Sequence, residues 1–325
     1  MPIPNHGIIL SFEYIILAVR AYPISQHSQT EFPRVESEMG FQPEELRPVL
    51  NEMLTRATTG IPADILGAVK EAHVHETKEF AKKQLEAILN SANLSFEKHL
   101  PLCQDTGLVT LFISGELMSH VKEVETALNS AVEGLTAAGG MRANVVNPLT
   151  RKNTGTNTGL NQPEVLLDKT EKKTAMKMIL KGAGSENFTN LKMMVPTASR
   201  QDILKHILQT VIDAGGKTCP PNTLGIGIGG SAIQAMFNSK VALLRKVGER
   251  NPDPEVAQFE TSIVKATNEL GIGTMGLGGD TTVLDAHIET AGTHTAALPI
   301  AISFGCWANR VSEAELKGGR FEIVR

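Results

Sequence analysis

The sequence predicts an α/β fold in which mixed sheets are flanked by helices and glycine-rich loops converge on one site. Three observations support this prediction. Apolar residues recur at three- and four-residue spacing between residues 42 and 98, which is typical of amphipathic helices. Short apolar runs, such as residues 107–115, are typical of buried strands. Segments rich in glycine and polar residues separate these elements, and we find no internal repeat.

The first 38 residues differ from the rest of the chain. Residues 7–19 are apolar, but the run is too short to span a bilayer and Glu13 interrupts it. The segment also lacks the basic region and the small-residue cleavage site of a signal peptide. We therefore expect residues 1–38 to be an N-terminal extension of doubtful role, with Met39 as an alternative start. Residues 39–325 are expected to form one functional domain.

The first half of this domain is predicted to be mainly helical. Residues 43–58 and 62–94 form two amphipathic segments, and each begins with a proline, which suits a first helical turn. A buried strand follows at residues 107–115, and a helix covers residues 120–140, where two glycines end it. Residues 147–167 are rich in Asn, Thr and Gly and are predicted to be a loop. A loop this long inside a compact domain is usually functional or disordered.

The second half alternates strands and helices. Ser199 is the predicted N-cap of one of these helices, because its hydroxyl can accept a hydrogen bond from the first turn. The predicted elements are a hairpin in residues 165–182, a strand in 191–198, a helix in 199–216, a glycine-rich strand and helix in 219–247, a helix in 252–271, and glycine-rich strands to the end.

Composition excludes several function classes. The net charge of −4 and the pI near 6.2 argue against a nucleic-acid-binding protein. Aromatic residues make up only 4%, so platforms for stacking bases are not expected. The three cysteines, at positions 103, 219 and 306, are odd in number and widely spaced. That pattern does not resemble a secreted disulfide framework, and it predicts a cytoplasmic protein.

The run "GIGIGG" contains the spacing G-x-G-x-x-G at Gly225, Gly227 and Gly230, which is found in dinucleotide-binding folds. That fingerprint should follow a hydrophobic strand, but Pro220 and Pro221 precede it here and do not suit a central parallel strand. A nucleotide-dependent oxidoreductase is therefore disfavoured. Backbone N–H groups at a glycine-rich helix start suit other anions, including a carboxylate or a sulfide-bearing cluster.

Each cysteine lies in a predicted loop, in "LCQDTG", "KTCPPN" and "FGCWAN", and none lies in an apolar stripe. A free cysteine is commonly a small buried hydrophobic residue, and that interpretation remains open for each. Structural zinc usually uses closely spaced cysteine pairs, and none is present, nor is a ferredoxin spacing. Three isolated thiolates are also suited to three corners of an iron–sulfur cube, which leaves the fourth iron open to a substrate.

An open iron is a Lewis acid that binds substrate hydroxyl and carboxylate groups. Asp105 lies two residues after Cys103, where its carboxylate can exchange a proton with such a hydroxyl. "KGAGSEN" and "GTHTAALP" are further polar loops bounded by glycine or proline. The first is an ordinary turn on its own evidence, and the lone His294 in the second is by itself more often structural than catalytic.

Six segments together, "PLCQDTG", "NPLTRKNTGTNT", "KGAGSEN", "CPPNTLGIGIGGS", "HTAALP" and "CWANR", resemble in type and order the iron–sulfur class I fumarate hydratases and the related L(+)-tartrate dehydratases. The resemblance covers roughly residues 40 to 325. It implies an oxygen-sensitive [4Fe-4S] cluster and reversible addition of water to a dicarboxylate. The implied cluster ligands are Cys103, Cys219 and Cys306. The implied pocket residues are Gln104, Asp105, Arg142, Gly184 and His294, with Asp105 and His294 catalytic or orienting.

Full-length members of that family carry a second, C-terminal domain that completes the active site. This chain resembles their N-terminal catalytic domain, so the resemblance implies an α subunit whose partner is a separate β subunit, in αβ pairs. We expect it to convert fumarate to malate, or alternatively to dehydrate L(+)-tartrate. A non-catalytic protein that binds iron–sulfur or zinc through structural cysteines is a further alternative.

Overall fold

The computed structural model describes residue 41 and residues 43–325, so the extension predicted for residues 1–38 lies outside the described residues. The helices are α1 Leu46–Thr59, α2 Ala63–His75, α3 Glu79–Lys98, α4 Val121–Ala137, α5 Ala183–Glu186, α6 Arg200–Ala214, α7 Ala232–Ala242 and α8 Pro254–Asn268. The strands are β1 Leu108–Ile113, β2 Glu164–Leu167, β3 Ala175–Lys181, β4 Asn190–Met194, β5 Asn222–Gly229, β6 Val283–Ala291, β7 Leu298–Gly305, β8 Val311–Lys317 and β9 Arg320–Ile323.

The strands form two mixed sheets, which confirms the predicted α/β class. The first sheet has the order β2-β1-β3-β8-β9, and the second has the order β4-β7-β5-β6. In each sheet one strand pair is parallel, β1 with β2 and β5 with β6, and the other pairs are antiparallel. The chain crosses from the second sheet to the first between β7 and β8.

The predicted helical segments contain helices, but residues 62–94 belong to two of them, α2 and α3, which residues 76–78 separate. Leu46, Leu50, Met53 and Leu54 are fully buried on α1, and they join α4 in a core against the first sheet. The second sheet has a separate apolar core beneath α6 and α8. Ser199 is the N-cap of α6 and forms a reciprocal capping box, as predicted. Among the residues described here, no helix is long and apolar enough to cross a membrane.

The predicted hairpin in residues 165–182 is wrong. β2 pairs in parallel with β1, and β3 pairs with the opposite edge of β1, so β1 separates the two strands. The physical reason is the apolar character of β1, in which Val109, Leu111, Phe112 and Ile113 are all buried. Such a strand is stabilised at an interior position of the sheet, where it has a partner on both edges.

The glycine run belongs to a strand rather than to a turn. Gly225 and Gly227 lie within β5, and a β-carbon on either would overlap carbonyl oxygens of α7, at Ser239 and Ala235 respectively. These two glycines therefore allow close packing of a helix on a sheet. Their place inside a strand is a second reason to reject the dinucleotide fingerprint, whose glycines line the turn after a strand.

We predict that Gly227→Ala destabilises the protein by at least about 1–3 kcal/mol, because the added methyl group must push α7 away from β5. The matched control is Gly67→Ala on α2, where nothing lies within 4 Å of the added carbon. That substitution should stabilise the helix by roughly 0.5–1 kcal/mol. Urea unfolding of both variants measures the difference, and equal effects would contradict the packing role.

Candidate active site

Two of the cysteines lie at the same end of the strands of the second sheet. Cys219 precedes β5, and Cys306 directly follows β7. The two strands are antiparallel, and Thr223 on β5 pairs with Gly305 on β7, so the start of one meets the end of the other. The backbone N–H of Trp307 donates to the carbonyl of Cys219 at 3.0 Å, which joins the two turns directly.

The buried side-chain amide of Asn222 joins these two turns through hydrogen bonds. Asn222 is 1% exposed, and its Nδ2 donates to the carbonyls of Thr218 at 3.0 Å and Gly305 at 2.9 Å. Its Oδ1 accepts from the Thr218 hydroxyl at 2.8 Å. The residues just before Cys219 and Cys306 are therefore bonded to one side chain. Sequence reasoning missed Asn222, although a polar residue opening an apolar strand after Cys-Pro-Pro was a usable signal.

The third cysteine is brought in by the first sheet. Cys103 and Asp105 lie in the turn before β1, and the Asp105 carboxylate accepts from two backbone groups, Gly107 N at 3.0 Å and Ala183 N at 2.7 Å. The second bond attaches this turn to the "KGAGSEN" loop. That loop reaches the Cys219 turn as well, since a β-carbon on Gly184 would lie 2.9 Å from the Lys217 carbonyl oxygen.

The electrostatics show that these groups are close to one another. Burial raises the pKa of the Cys219 thiol, and the negative charges of Cys306, Cys103 and Asp105 raise it further. Cys103 is exposed, the other two cysteines are partly exposed, and all three are free thiols. This environment favours the thiol form of Cys219 until a cation binds, because a bound metal deprotonates its cysteine ligands.

Arg142 lies beside the same turn. Its backbone N–H donates to the hydroxyl of the buried Thr106 at 3.1 Å, and its carbonyl accepts from Asn157 Nδ2 at 2.7 Å. The side chains of Arg142 and Gln104 are exposed. Asn157 comes from the predicted long loop, so part of that polar segment supports the site. Thr106 and Asn157 were both missed as supporting residues.

His294 is not brought to the cysteines. It lies between the end of β6 and the start of β7, whereas Cys306 follows the other end of β7. Seven residue steps along that strand separate the two ends by roughly 23 Å. His294 is exposed, and its Nδ1 accepts from the backbone N–H of Ala296 at 3.1 Å.

The glycine-rich start of α7 lies at the far end too, where the Thr293 hydroxyl donates to the Gly230 carbonyl at 3.1 Å. Two of the predicted convergent loops therefore meet each other rather than the cysteines. A cavity of about 910 Å³ is lined by residues of α1, α2, α3 and the C-terminus, and no predicted site residue lines it.

Two buried cations near the cysteines were also missed. Lys181 ends β3, and its Nζ donates to the Phe304 carbonyl at 2.7 Å and pairs with Glu186 at 3.0 Å. Burial and the charge of Lys240 lower the pKa of Lys181 to about 8, although the charges of Glu186 and Cys306 oppose the shift. Arg310, four residues after Cys306, is 2% exposed.

The three thiols come from three turns, two beside strand ends of the second sheet and one before β1 of the first. Within residue 41 and residues 43–325, no group of three His, Cys, Asp or Glu side chains is placed to hold a single ion. Three cysteines contributed by separate turns suit an iron–sulfur cluster with three cysteine ligands.

Comparison with known proteins agrees with this geometry. Residues 48–315 match the family described as Fumarate hydratase (Fumerase). The chain is 42% identical over 279 residues to the "Putative L(+)-tartrate dehydratase subunit alpha" of Methanocaldococcus jannaschii, covering 83% of this chain and 96% of that protein. It is 29% identical over 268 residues to the L(+)-tartrate dehydratase subunit alpha of Escherichia coli K12, covering 82% and 88% respectively. The chain belongs to the fumarate hydratase (Fumerase) family and is a hydro-lyase.

Proposed function

We propose that this chain is the α subunit of a [4Fe-4S]-dependent hydro-lyase that reversibly adds water to fumarate to form malate. The observation that carries the proposal is that Asn222 joins the turns of Cys219 and Cys306, while Cys103 and Asp105 lie close enough to raise the pKa of the Cys219 thiol. The three cysteines would hold the cluster. When bound, such a cluster supplies an iron that acts as a Lewis acid toward substrate oxygen atoms.

Asp105 is the proposed acid–base group for the substrate hydroxyl. Its two oxygens are oriented by the backbone N–H groups of Gly107 and Ala183, so the carboxylate is held in place without a side-chain partner. Backbone donors fix the position of the carboxylate and leave its remaining lone pairs for a substrate proton. A positioned carboxylate of this kind is suited to general acid–base catalysis.

Arg142 and Gln104 are the proposed substrate-binding side chains. Both are exposed beside Asp105, and a guanidinium pairs with a carboxylate through two parallel hydrogen bonds. Gly184 would line the pocket through its backbone, and its lack of a side chain allows the close approach to the Lys217 carbonyl oxygen. His294 is left out of the pocket proposed for this chain, because a strand length separates it from Cys306.

A separate β subunit is the proposed partner. The relatives are named as α subunits, which supports a separate β subunit. The residue that handles the carbon-bound proton is proposed to lie on that partner chain. The exposed side chains of Cys103, Gln104 and Arg142 fit a site that a second chain completes. We further propose that the enzyme acts in the cytoplasm, where its three free thiols stay reduced.

Dehydration of L(+)-tartrate is the second candidate function. The names of both relatives favour it, and tartrate differs from malate by one additional hydroxyl group. A hydroxyl can be discriminated strongly only by a site that hydrogen-bonds it. The contacts that decide between the substrates therefore include any that the β subunit supplies.

The first test is the metal content of anaerobically purified protein. We predict about four iron and four sulfide per chain, with loss of one iron in air, because three thiolates leave one iron without a protein ligand. Cys219→Ala should lose the cluster while the secondary structure, measured by circular dichroism, stays intact. Zinc in place of iron, or no metal after reconstitution, would exclude the proposed function.

The second test concerns the partner. We predict little or no turnover by the α chain alone and full turnover after addition of the β subunit. The same αβ preparation should be assayed with fumarate, malate and L(+)-tartrate, and the ratio of kcat/KM values assigns the substrate. Activity that is unchanged by the β subunit would refute the two-subunit site.

The third test is Asp105→Asn in the assembled enzyme. We predict that kcat falls by roughly 10²–10⁴-fold, the usual contribution of a general acid–base group, with iron and sulfide content unchanged. The matched control is Asp253→Asn at the N-cap of α8, where asparagine caps equally well. Full activity of the Asp105 variant would remove this residue from the mechanism, and loss of the cluster would make it structural.

A further inference from the structure

Arg310 is a buried guanidinium in the connection between the two sheets. It lies directly before β8, and its carbonyl accepts from the backbone N–H of Leu180 at 3.0 Å, beside the end of β3. The preceding turn begins at Cys306, whose carbonyl accepts from the Asn309 N–H at 2.9 Å. The backbone around Arg310 is therefore tied both to the first sheet and to a predicted cluster ligand.

The side chain of Arg310 lacks the partners that its burial requires. Only 2% of the residue is exposed, and Nε and Nη1 are buried with no hydrogen-bond partner among the described residues. A guanidinium remains protonated at any ordinary pH, so this group cannot escape the cost of burial by losing its charge. A buried charge without a partner is strongly destabilising. An anion is therefore expected to face it in the functional state.

The nearest anionic groups belong to the cysteine site. A β-carbon on Gly182 would lie 3.0 Å from Asp105 Oδ2 and 3.5 Å from Arg310 Nη2, so these two atoms are less than about 6.5 Å apart, although they form no ion pair. Asp105 in turn is close enough to Cys219 to raise its pKa. Glu186, the carboxylate on the neighbouring loop, is already paired with Lys181 and Lys240.

We infer that Arg310 is the buried counter-cation of the loaded cysteine site, facing the Asp105 carboxylate and the thiolates of Cys103, Cys219 and Cys306 that hold the iron. The inference rests on the proposed function, because that function makes the three cysteines the ligands of the cluster. It makes Arg310 a positioning residue that acts on the ligands rather than on the substrate. It also explains why a charge is buried here before its partner is present.

One consequence separates this role from a merely structural one. Without the cluster, Nε and Nη1 of Arg310 are buried with no hydrogen-bond partner among the described residues, so replacing Arg310 with an apolar residue of similar length should not destabilise the protein. With the cluster, the same replacement removes the counter-charge of an anionic group. Outer-shell partners of metal ligands commonly contribute 10–100-fold to metal retention. Arg310→Met should therefore have opposite effects on the two forms.

The experiment compares wild type, Arg310→Met and Arg310→Lys, each purified with the β subunit, in cluster-free and anaerobically reconstituted forms. For Arg310→Met we expect an unchanged or raised Tm without the cluster, and a smaller gain in Tm on reconstitution. Iron loss in air should be roughly 10–100-fold faster, and the cluster's reduction potential should be more negative. Arg310→Lys keeps the positive charge, so its Tm gain, rate of iron loss and reduction potential should lie between those of wild type and Arg310→Met. Arg200→Gln, at a surface ion pair, is the control and should behave as wild type in both forms.

Two outcomes would overturn the inference in different ways. If Arg310→Met lowers the Tm of both forms equally and leaves iron loss and potential unchanged, Arg310 is a structural residue and the proposed function survives. If the wild-type protein takes up no iron and sulfide, the proposed function fails and the inference fails with it. The wild-type metal content therefore separates the two failures.

Discussion

The side-chain amide of Asn222 is the interaction on which the geometry of the site depends. It is buried at the first position of β5, and it bonds to the residues just before Cys219 and just before Cys306. All three of its hydrogen bonds are made to neighbouring turns, so a buried polar group is satisfied in full. The separation of the two cysteines is thereby set by backbone and amide contacts, which do not require a metal.

The cysteine turns need support from outside the site, because the like charges of the cysteines and Asp105 repel one another. Burial raises the pKa of the Cys219 thiol, and the negative charges of Cys306, Cys103 and Asp105 raise it further. Contacts among the ligands cannot hold such a group together. The supporting contacts are neutral instead. They are the hydrogen bonds of Asn222, the backbone N–H groups that donate to Asp105, and the close approach of Gly184 to the Lys217 carbonyl. The cations Lys181 and Arg310 lie buried behind them.

The sequence predicted the chemistry of the site better than its location. Apolar periodicity predicted the helices, and the position of Ser199 before one of them predicted its role as N-cap. Both features depend on residues that are close together in the sequence. The pairing of β2 with β1 depends on which strand is buried, which the local sequence of residues 165–182 does not contain. His294 lies in a motif as recognisable as those of the cysteines, yet strand direction puts it at the opposite end of β7. Burial of Arg310 likewise could not be predicted, because a guanidinium is ordinarily exposed.

Strand direction also explains why so many connections lie together at one end of the strands. β1, β5 and β8 begin there, while β3 and β7 end there, and these five strand ends belong to four connections, because the segment after β7 is also the segment before β8. Three of the connections carry the cysteines, and the fourth carries the residues that bind Asp105. The connection from Cys306 to β8 carries Arg310 as well. A group bound here would be held by these connections rather than by the strands. The exposed Cys103, Gln104 and Arg142 mark the side left open, and a second chain that closed it would complete the site without altering either sheet.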